Sequence, residues 1–393
     1  MNSFLNILSE LIFSRIFLIC FVSFAISVYV NYGISSLMNN YKKQIQEVES
    51  KIQSVFRQCL GGMIILICLF LINIFTTKFF KVNFFKQIEW VCVFLILLAL
   101  FNEFIQIKQF LKLLVIAAIA VFMFYKGVSV FDMYGFLHVN KLPGLVSISL
   151  NIILLSGIVF AFKMLDGIDG LVVGLGFINA IVFGLMFYFK QDFEYTLFSF
   201  ALAAALLGFL LFNFHPAKVF MGESGVMIIG LILMILAIRI FNYREIVVFN
   251  KTIKSLPILV ALLLLPVYDM LRIFVERMIN GKNPFHADNN HIYLLMMGSG
   301  LSPVKTSLVL FYVNIKLISF VVVMCYWNVY WSIIFLLIMI FGVSESLTIV
   351  TIFKNTIQFF IKREKLQEKF NNNFLLMRLY SKKINSEIKP IQK

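Results

Sequence analysis

The stretch KMLDGIDGLVVG, residues 163–174, sets two carboxylates, Asp166 and Asp169, beside two glycines, Gly167 and Gly170, with long apolar runs on either side. An unpaired carboxylate in hydrocarbon costs several kilocalories, so such a pair belongs at a helix end that meets water or a ligand. The flanking runs, 145–163 and 171–189, decide the fold. Each has about the length that crosses a bilayer as a helix. Neither alternates with the period of two that marks a barrel strand. Because lipid offers the backbone no hydrogen bonds, only helices and closed barrels span it, and these runs read as helices.

The same unit recurs outward along the chain. Of 393 residues, 61% are hydrophobic and 13% charged, with a mean hydropathy of +0.95. A soluble fold cannot cover that much apolar surface. Apolar spans are read at 11–31, 61–79, 90–107, 109–125, 145–163, 171–189, 196–213, 224–241, 254–273, 304–326 and 329–352. The expected fold class is all-α, a polytopic membrane protein of about 11 transmembrane helices. Residues 1–353 form the multi-span domain and 354–393 a basic tail. The first span is long, starts late and lacks a small-residue cleavage site, so it is read as a retained helix. Cys20, Cys59, Cys68, Cys92 and Cys325 make no CxxC pair, and neither a disulfide framework nor a zinc site is implied.

An odd number of spans puts the termini on opposite faces. With the C-terminus in the cytoplasm, the inside segments carry about twice as many Lys and Arg as the outside ones, the sense that the positive-inside rule requires. The tail supplies much of that bias. A net charge of +15 suits contact with an anionic inner leaflet. Spread over membrane loops, the basic residues do not form the stripe that nucleic acid binding needs.

On this topology the polar residues collect on one side. Asp166 and Asp169, three apart, share a face if a helix starts there. FNFHPAKVFMGESG, residues 212–225, brings Asn213, His215, Lys218, Gly222 and Glu223. YDMLRIFVERMINGKNPFHADNNH, residues 268–291, brings Asp269, Arg272, Arg277, Lys282, His286, Asp288 and His291, and the segment from Arg272 onward is expected to cap a donor site as a loop. LFNEFIQIKQFLK, residues 100–112, adds Asn102, Glu103, Lys108 and Lys112. Carboxylates that hold a divalent cation, with bases facing phosphates, are what phosphoryl transfer uses. Taken singly, each motif also has a plain reading. DG and MGESG serve as capped turns, Arg272 and Arg277 as snorkelling side chains, and His138 and His215 as loop histidines. Lys316, inside the tenth span, has no reading at this stage.

In their order and on one face, MLDGIDGL, FNFHPAKVFMGESG and DMLRIFVERMINGKNPFHADNNHIYLLMMGSGLS resemble the polyprenyl-phosphate hexosamine-1-phosphate transferases, a superfamily that also holds the phospho-MurNAc-pentapeptide translocase. Weaker likeness extends to RQCLGGMIILI and FNEFIQIKQFLKLLVIAA, so that the resemblance covers most of residues 57 to 310. It implies a multi-pass protein of the bacterial inner membrane. It also implies transfer of a sugar 1-phosphate from a UDP-sugar, a UDP-N-acetylhexosamine at the family level, to undecaprenyl phosphate on the cytoplasmic face. Mg2+, with Mn2+ as a substitute, would bridge the donor's diphosphate. The residues carried over are Asp166, Asp169, Asn102 and Glu103 as catalytic, and Glu223 with Asp166 as metal ligands. Lys163, Asn213, Lys218, Gly222, Arg272, Arg277, Lys282, Asp288 and His291 fall on the substrate side.

The match departs from the family pattern at the chemistry. Glu223 stands where an aspartate is expected, and Asn102 and Glu103 stand for an aspartate pair. Lys163 replaces an asparagine, Asn289 an arginine, and Tyr293 and Leu294 two histidines. Two readings follow. In one, the site is remodelled and active, with Glu103 and Glu223 in aspartate roles and Lys163 as a cation beside the phosphates. In the other, the chain is a non-catalytic relative that binds a lipid or a partner. A transporter would place its acids at the bilayer midplane and break its spans, whereas these acids lie at span ends.

Overall fold

The computed structural model describes residues 2–44, 61–65, 67–70, 73–74, 90–98, 109–130, 132–133, 138–248, 251–283, 290–324 and 328–346. In chain order the helices are α1 (Asn2–Gln44), α2 (Gly61–Phe70), α3 (90–98), α4 (Gln109–Tyr125), α5 (Gly144–Leu165), α6 (Leu171–Phe189), α7 (Phe193–Asn213) and α8 (Gly222–Phe241). A hairpin, β1 (Glu245–Val248) and β2 (Lys251–Lys254), precedes α9 (Ser255–Ile279), α10 (Ile292–Gly298), α11 (Pro303–Val323) and α12 (Val329–Ser346). Among the described residues, eight helices are long and apolar enough to cross a membrane, and α4 is a shorter apolar helix at the fourth expected span. The chain is an all-α multi-pass membrane protein. Its tail, 354–393, lies outside the described residues.

The helix without a polar stripe lies deepest. In α8 the run VMIIGLILMILAI is apolar on every side, and 89% of the span is buried, against 22% for the membrane part of α1. It packs on α5, α6 and α9. Contact with α5 is close because Gly230 has no side chain: a Cβ there would stand 3.1 Å from the Val159 Cα. On the periphery α1 uses the small residues that membrane interfaces favour. Ser23, Ser27 and Asn31, four apart, are fully buried. Ser27 Oγ donates to the Ala205 carbonyl of α7 at 2.7 Å, and Gly208 leaves room for the Ser27 Cβ.

A polar bolt joins three helices. Pro266 lies inside α9 and has no N–H to give the carbonyl four residues earlier. That carbonyl, Leu262, accepts instead from Asn179 Nδ2 of α6 at 2.9 Å, and Asn314 Nδ2 of α11 donates to Asn179 Oδ1 at 2.9 Å.

Two features differ from the sequence expectation. The expected span 254–273 is preceded by an antiparallel hairpin pairing Glu245 with Lys254 and Ile246 with Ile253. In addition, α9 runs on to Ile279, so that Arg272 and Arg277 are helical and not part of a loop. The hydropathy window ends where polar residues begin, but the helix does not, because Arg272 and Glu276 pair across one turn at 3.8 Å.

Candidate active site

Since the chain crosses back and forth, the C-terminal ends of α5, α7 and α9 and the N-terminal ends of α6, α8 and α11 share one end of the bundle. The KMLDGIDG stretch is the α5–α6 connection there. Lys163 sits in the last turn of α5, and the chain leaves the helix at Asp166 (φ −78°, ψ 69°). It re-enters at Gly170 with φ +79°, a left-handed value that glycine adopts without strain. Ile168 is buried and anchors the turn. Gly167 lies beneath Tyr293: a Cβ there would be 2.0 Å from the tyrosine oxygen, so a larger residue has no room.

The next connection is tied to the first. Asn213, the last residue of α7, accepts from Gly170 N at 3.0 Å and donates to the Val219 carbonyl at 2.9 Å. Asp169 accepts from Ala217 N at 3.3 Å and lies 3.2 Å from His215 Nδ1. The loop then turns at Gly222 (φ +68°) into α8, with Glu223 in its first turn. Gly61 and Gly62 of α2 press on this corner, since Cβ atoms there would stand 2.0 Å from the Met221 carbonyl oxygen and 2.2 Å from Ser224 Oγ.

Between the two loops lies a cavity of about 380 Å³, lined by Lys163, Asp166, Asp169, Asn213, Gly222 and Glu223 among others. The sequence predicted this convergence, and the structure adds the ion pairs. Lys112 Nζ of α4 bridges both Glu223 oxygens, at 2.8 and 3.1 Å. Lys163 Nζ reaches Oε1 at 2.5 Å. Surrounding protein, then the nearby charges of Asp169 and Glu223, push the Asp166 carboxyl up to about 7. Asp166 keeps a solvent-open face at the cavity rim, which tempers the effect of burial and leaves the two neighbouring carboxylates as the firmer cause.

A second cluster sits beside the first. Asp269, buried in α9, faces His291 Nδ1 at 2.8 Å and accepts from Ile292 N at 2.9 Å and from Arg272 Nη2 at 3.4 Å. Arg272 also donates to the Asn290 carbonyl, and Asn290 Nδ2 donates to Glu276 at 2.5 Å. The His291 ring stacks on Tyr293, with centroids 5.4 Å apart. Tyr293 reaches over Gly167 and so joins the two clusters. Burial, then Asp269 and Asp166, push its hydroxyl up to about 12.

The expected site residues divide accordingly. Asp166, Asp169, Glu223, Lys163, Asn213 and Gly222 line the cavity. Asn213 spends both ends of its amide on backbone and thus holds the loops together. Arg272 and His291 are committed to Asp269, while Arg277 is buried in α9. Lys218 and Lys282 are exposed and do not line the cavity. Asn102, Glu103 and Asp288 lie outside the described residues. Three residues enter that the sequence reading left without a role: Lys112, Asp269 and Tyr293. The available signal for Lys112 was a lysine in the first turn of an otherwise apolar helix, where only a partner excuses burial.

The donor set tests the expected metal pair. Among the described residues, no three His, Cys, Asp or Glu side chains gather to hold an ion. Glu223 and Asp166 do share the cavity, but the Glu223 oxygens face two ammonium groups. Where a divalent ion would need an unengaged carboxylate, cationic charge is already present. In this arrangement the pair does not fit a metal ion.

Comparison with known proteins finds a family likeness over part of the chain. Residues 88–241 match glycosyl transferase family 4. The chain is 29% identical over 222 residues to a Bacillus subtilis protein described as "Probable undecaprenyl-phosphate N-acetylglucosaminyl 1-phosphate transferase", covering 56% of this chain and 60% of the relative. It is 33% identical over 181 residues to the decaprenyl-phosphate N-acetylglucosaminephosphotransferase of Mycobacterium tuberculosis, covering 42% and 44%. With the undecaprenyl-phosphate alpha-N-acetylglucosaminyl 1-phosphate transferase of Escherichia coli K12 it shares 30% over 147 residues, covering 36% and 38%. The chain thus spans about half the length of the curated relatives it matches. The matched segment contains the first two motif loops and both lysines of the Glu223 cluster.

Proposed function

We infer that this protein, similar over residues 88–241 to glycosyl transferase family 4, transfers a sugar 1-phosphate from a UDP-sugar, of the N-acetylhexosamine class, to undecaprenyl phosphate. The reading places the site at the cytoplasmic face of a bacterial inner membrane, with the product feeding a cell-surface glycan. The observation that carries it is the cavity of about 380 Å³ at a membrane-facing helix end, where the DGIDG acids and the FNFHPAKVFMGES loop meet. In the reaction an oxygen of the lipid phosphate attacks the phosphorus that bears the sugar. A new P–O bond forms, the bond to the nucleoside phosphate breaks, and UMP leaves.

The chain's own residues divide the work. Asp166 sits at the cavity rim, where it can take the remaining proton of the lipid phosphate and sharpen the nucleophile. Asp169, through His215 and the Ala217 amide, holds the second loop against the first. The N-terminus of α8 opens on the cavity at Gly222, and the unpaired N–H groups of a first helical turn favour an anion there.

The test is a lipid-product assay with purified protein, undecaprenyl phosphate and a panel of UDP-sugars. Formation of the pyrophosphate-linked lipid, lost in Asp166→Asn, supports the reading. Absence of product across the panel sinks it in favour of a non-catalytic relative that binds lipid or a partner.

A further inference from the structure

Two cavities adjoin at the end of the bundle opposite DGIDG. The first, about 290 Å³, lies between α5, α8 and α9, and the described residues that line it are all apolar, Leu154, Ile158, Ala237, Val260 and Leu263 among them. The second, about 180 Å³, lies beside the β1–β2 hairpin and is lined by Arg244, Glu245, Lys254, Asn328 and Tyr330 among others. Met133, Phe241 and Leu256 line both. The apolar chamber shares no lining residue with the DGIDG cavity. Its deep end at Ile158 stops two helical turns, about 12 Å, before Asp166.

The polar chamber sits at the depth of lipid head groups. Tyr330 and Trp331, at the start of α12, are exposed, as aromatic residues are at a membrane–water boundary. The apolar chamber lies deeper, along the spans of three helices. Its wall is open at the side, since Leu150, Leu154, Val260 and Val267 are only half-buried. A space with no polar partner for water fills with hydrocarbon in a bilayer.

The backbone explains why charged groups meet in the polar chamber. Cross-strand partners share a face, so Glu245 and Lys254 project together while Ile246 and Ile253 turn into the core. Arg244 enters the hairpin with φ +59°, a left-handed value that glycine takes freely and arginine does not. Ser255 fixes that turn, its N–H and Oγ both donating to the Arg244 carbonyl at 3.0 Å. Glycine would suit the turn better; arginine adds a guanidinium to the chamber wall. Glu245 pairs with it at 3.8 Å on an exposed surface, a contact that contributes little to stability. Guanidinium and ammonium donors complement phosphate oxygens. The Glu245 carboxylate repels a dianion more than a monoanion, so a singly charged phosphodiester suits the chamber better than a phosphate monoester.

We propose that the adjoining chambers bind one phospholipid at the end opposite the DGIDG cavity, with its phosphodiester at Arg244 and Lys254 and one acyl chain between α5, α8 and α9. This site does not rest on the transferase reading.

The full chain, delipidated in detergent, is titrated with dimyristoyl phosphatidylglycerol, and bound lipid is counted by native mass spectrometry. Dimyristoylglycerol, which lacks the phosphate, and undecaprenyl phosphate, a monoester on a prenyl chain, are the comparison probes. One phosphatidylglycerol per chain should bind about tenfold or more tightly than either. Arg244→Gly with Lys254→Gln should weaken it about tenfold or more, the size of one charge-assisted hydrogen bond. Val260→Trp, at the half-buried rim, should fill the apolar chamber and weaken it by a similar factor. Arg244→Gly alone should melt no lower than wild type in lipid-free detergent, because glycine relieves the left-handed turn; this separates lost binding from lost fold.

Equal affinity for dimyristoylglycerol would make the space an unselective crevice and overturn the proposal. Undecaprenyl phosphate bound as tightly, and lost in Val260→Trp, would overturn it too, by giving the chamber to the acceptor lipid. Phosphatidylglycerol binding unchanged in the charge variant or in Val260→Trp, or absent in wild type, also sinks it.

Discussion

Each end of the bundle has a carboxylate held by more than one partner, and only one of them opens on a cavity. At the far end Asp192 caps α7, accepting from Tyr195 N at 3.5 Å. Its Oδ2 also accepts from Arg239 Nη2 and Nε at 3.2 and 3.4 Å and from the Tyr243 hydroxyl. The Arg239 guanidinium lies 4.9 Å from the Tyr195 ring centroid and 5.2 Å from that of Tyr243. Burial, then the bond to Asp192, push the Tyr243 hydroxyl up to about 12. The carboxylate, the guanidinium and the two rings of this clasp face one another. At the near end Glu223 has the same kind of grip, but one of its cations faces an empty volume shared with Asp166 and a helix N-terminus. An ion pair is therefore not a site in itself. Ionisable side chains lining a shared cavity are what set the near end apart from the staple.

The comparison breaks most readily on Asp166. Asp166→Asn should lower product formation by about 10²–10⁴-fold, the range for losing a general base, with the folded fraction unchanged by size-exclusion profile. Asp192→Asn should leave turnover per folded molecule as in wild type. Equal losses in both would erase the distinction between centre and staple.

Next in size is Gly167→Ala. The new methyl would enter the space of the Tyr293 ring, so turnover should fall at least about tenfold as the DGIDG loop moves away from the donor, since displacements near 1 Å cost that much or more. Replacing Tyr293 with Ala in the same chain should restore part of the loss. No relief in the double variant would show that Gly167 acts through backbone conformation alone.

The staple itself should report in stability. Asp192→Ala removes a helix cap and leaves Arg239, which is partly exposed, without its carboxylate. A loss of about 1–2 kcal/mol is expected in a thermal or denaturant melt in detergent. Salt should reduce the difference between variant and wild type.

The smallest effect is a displacement on the pH axis. If Asp166 works as a base, product formation rises with pH as its carboxyl loses the proton near 7. Asp169→Asn removes one of the negative charges that hold that value up, so the rising limb should move to lower pH. The carboxylate of Glu223 and the ammonium of Lys163 also face this group and are unchanged by the substitution. A limb that stays in place would mean that another group controls the profile.

Membrane spans were legible because the bilayer imposes a simple rule: a run of apolar residues long enough to cross it, without a polar interruption, becomes a helix. The alternation of spans then decided which connections share an end, and so gathered DGIDG, FNFHPAKVFMGES and the end of α9. The α9 boundary was misplaced because hydropathy reports where the membrane stops, not where the backbone ladder stops. The β-hairpin escaped because four-residue strands leave little periodicity to read.

What the sequence by itself determined is the all-α membrane architecture and the list of side chains able to meet at one end, since both follow from chain order and local composition. What only the tertiary structure decided is the pairing among them. Glu223 faces Lys112, distant by 111 positions. Asn213 is consumed by Gly170 and Val219, and Tyr293 closes over Gly167. An ionic contact depends on the last few ångströms between side chains from different helices. Packing sets those distances: Gly230 draws α8 against α5, and Gly61 with Gly62 bring α2 against the start of α8. No pattern within a single segment encodes them.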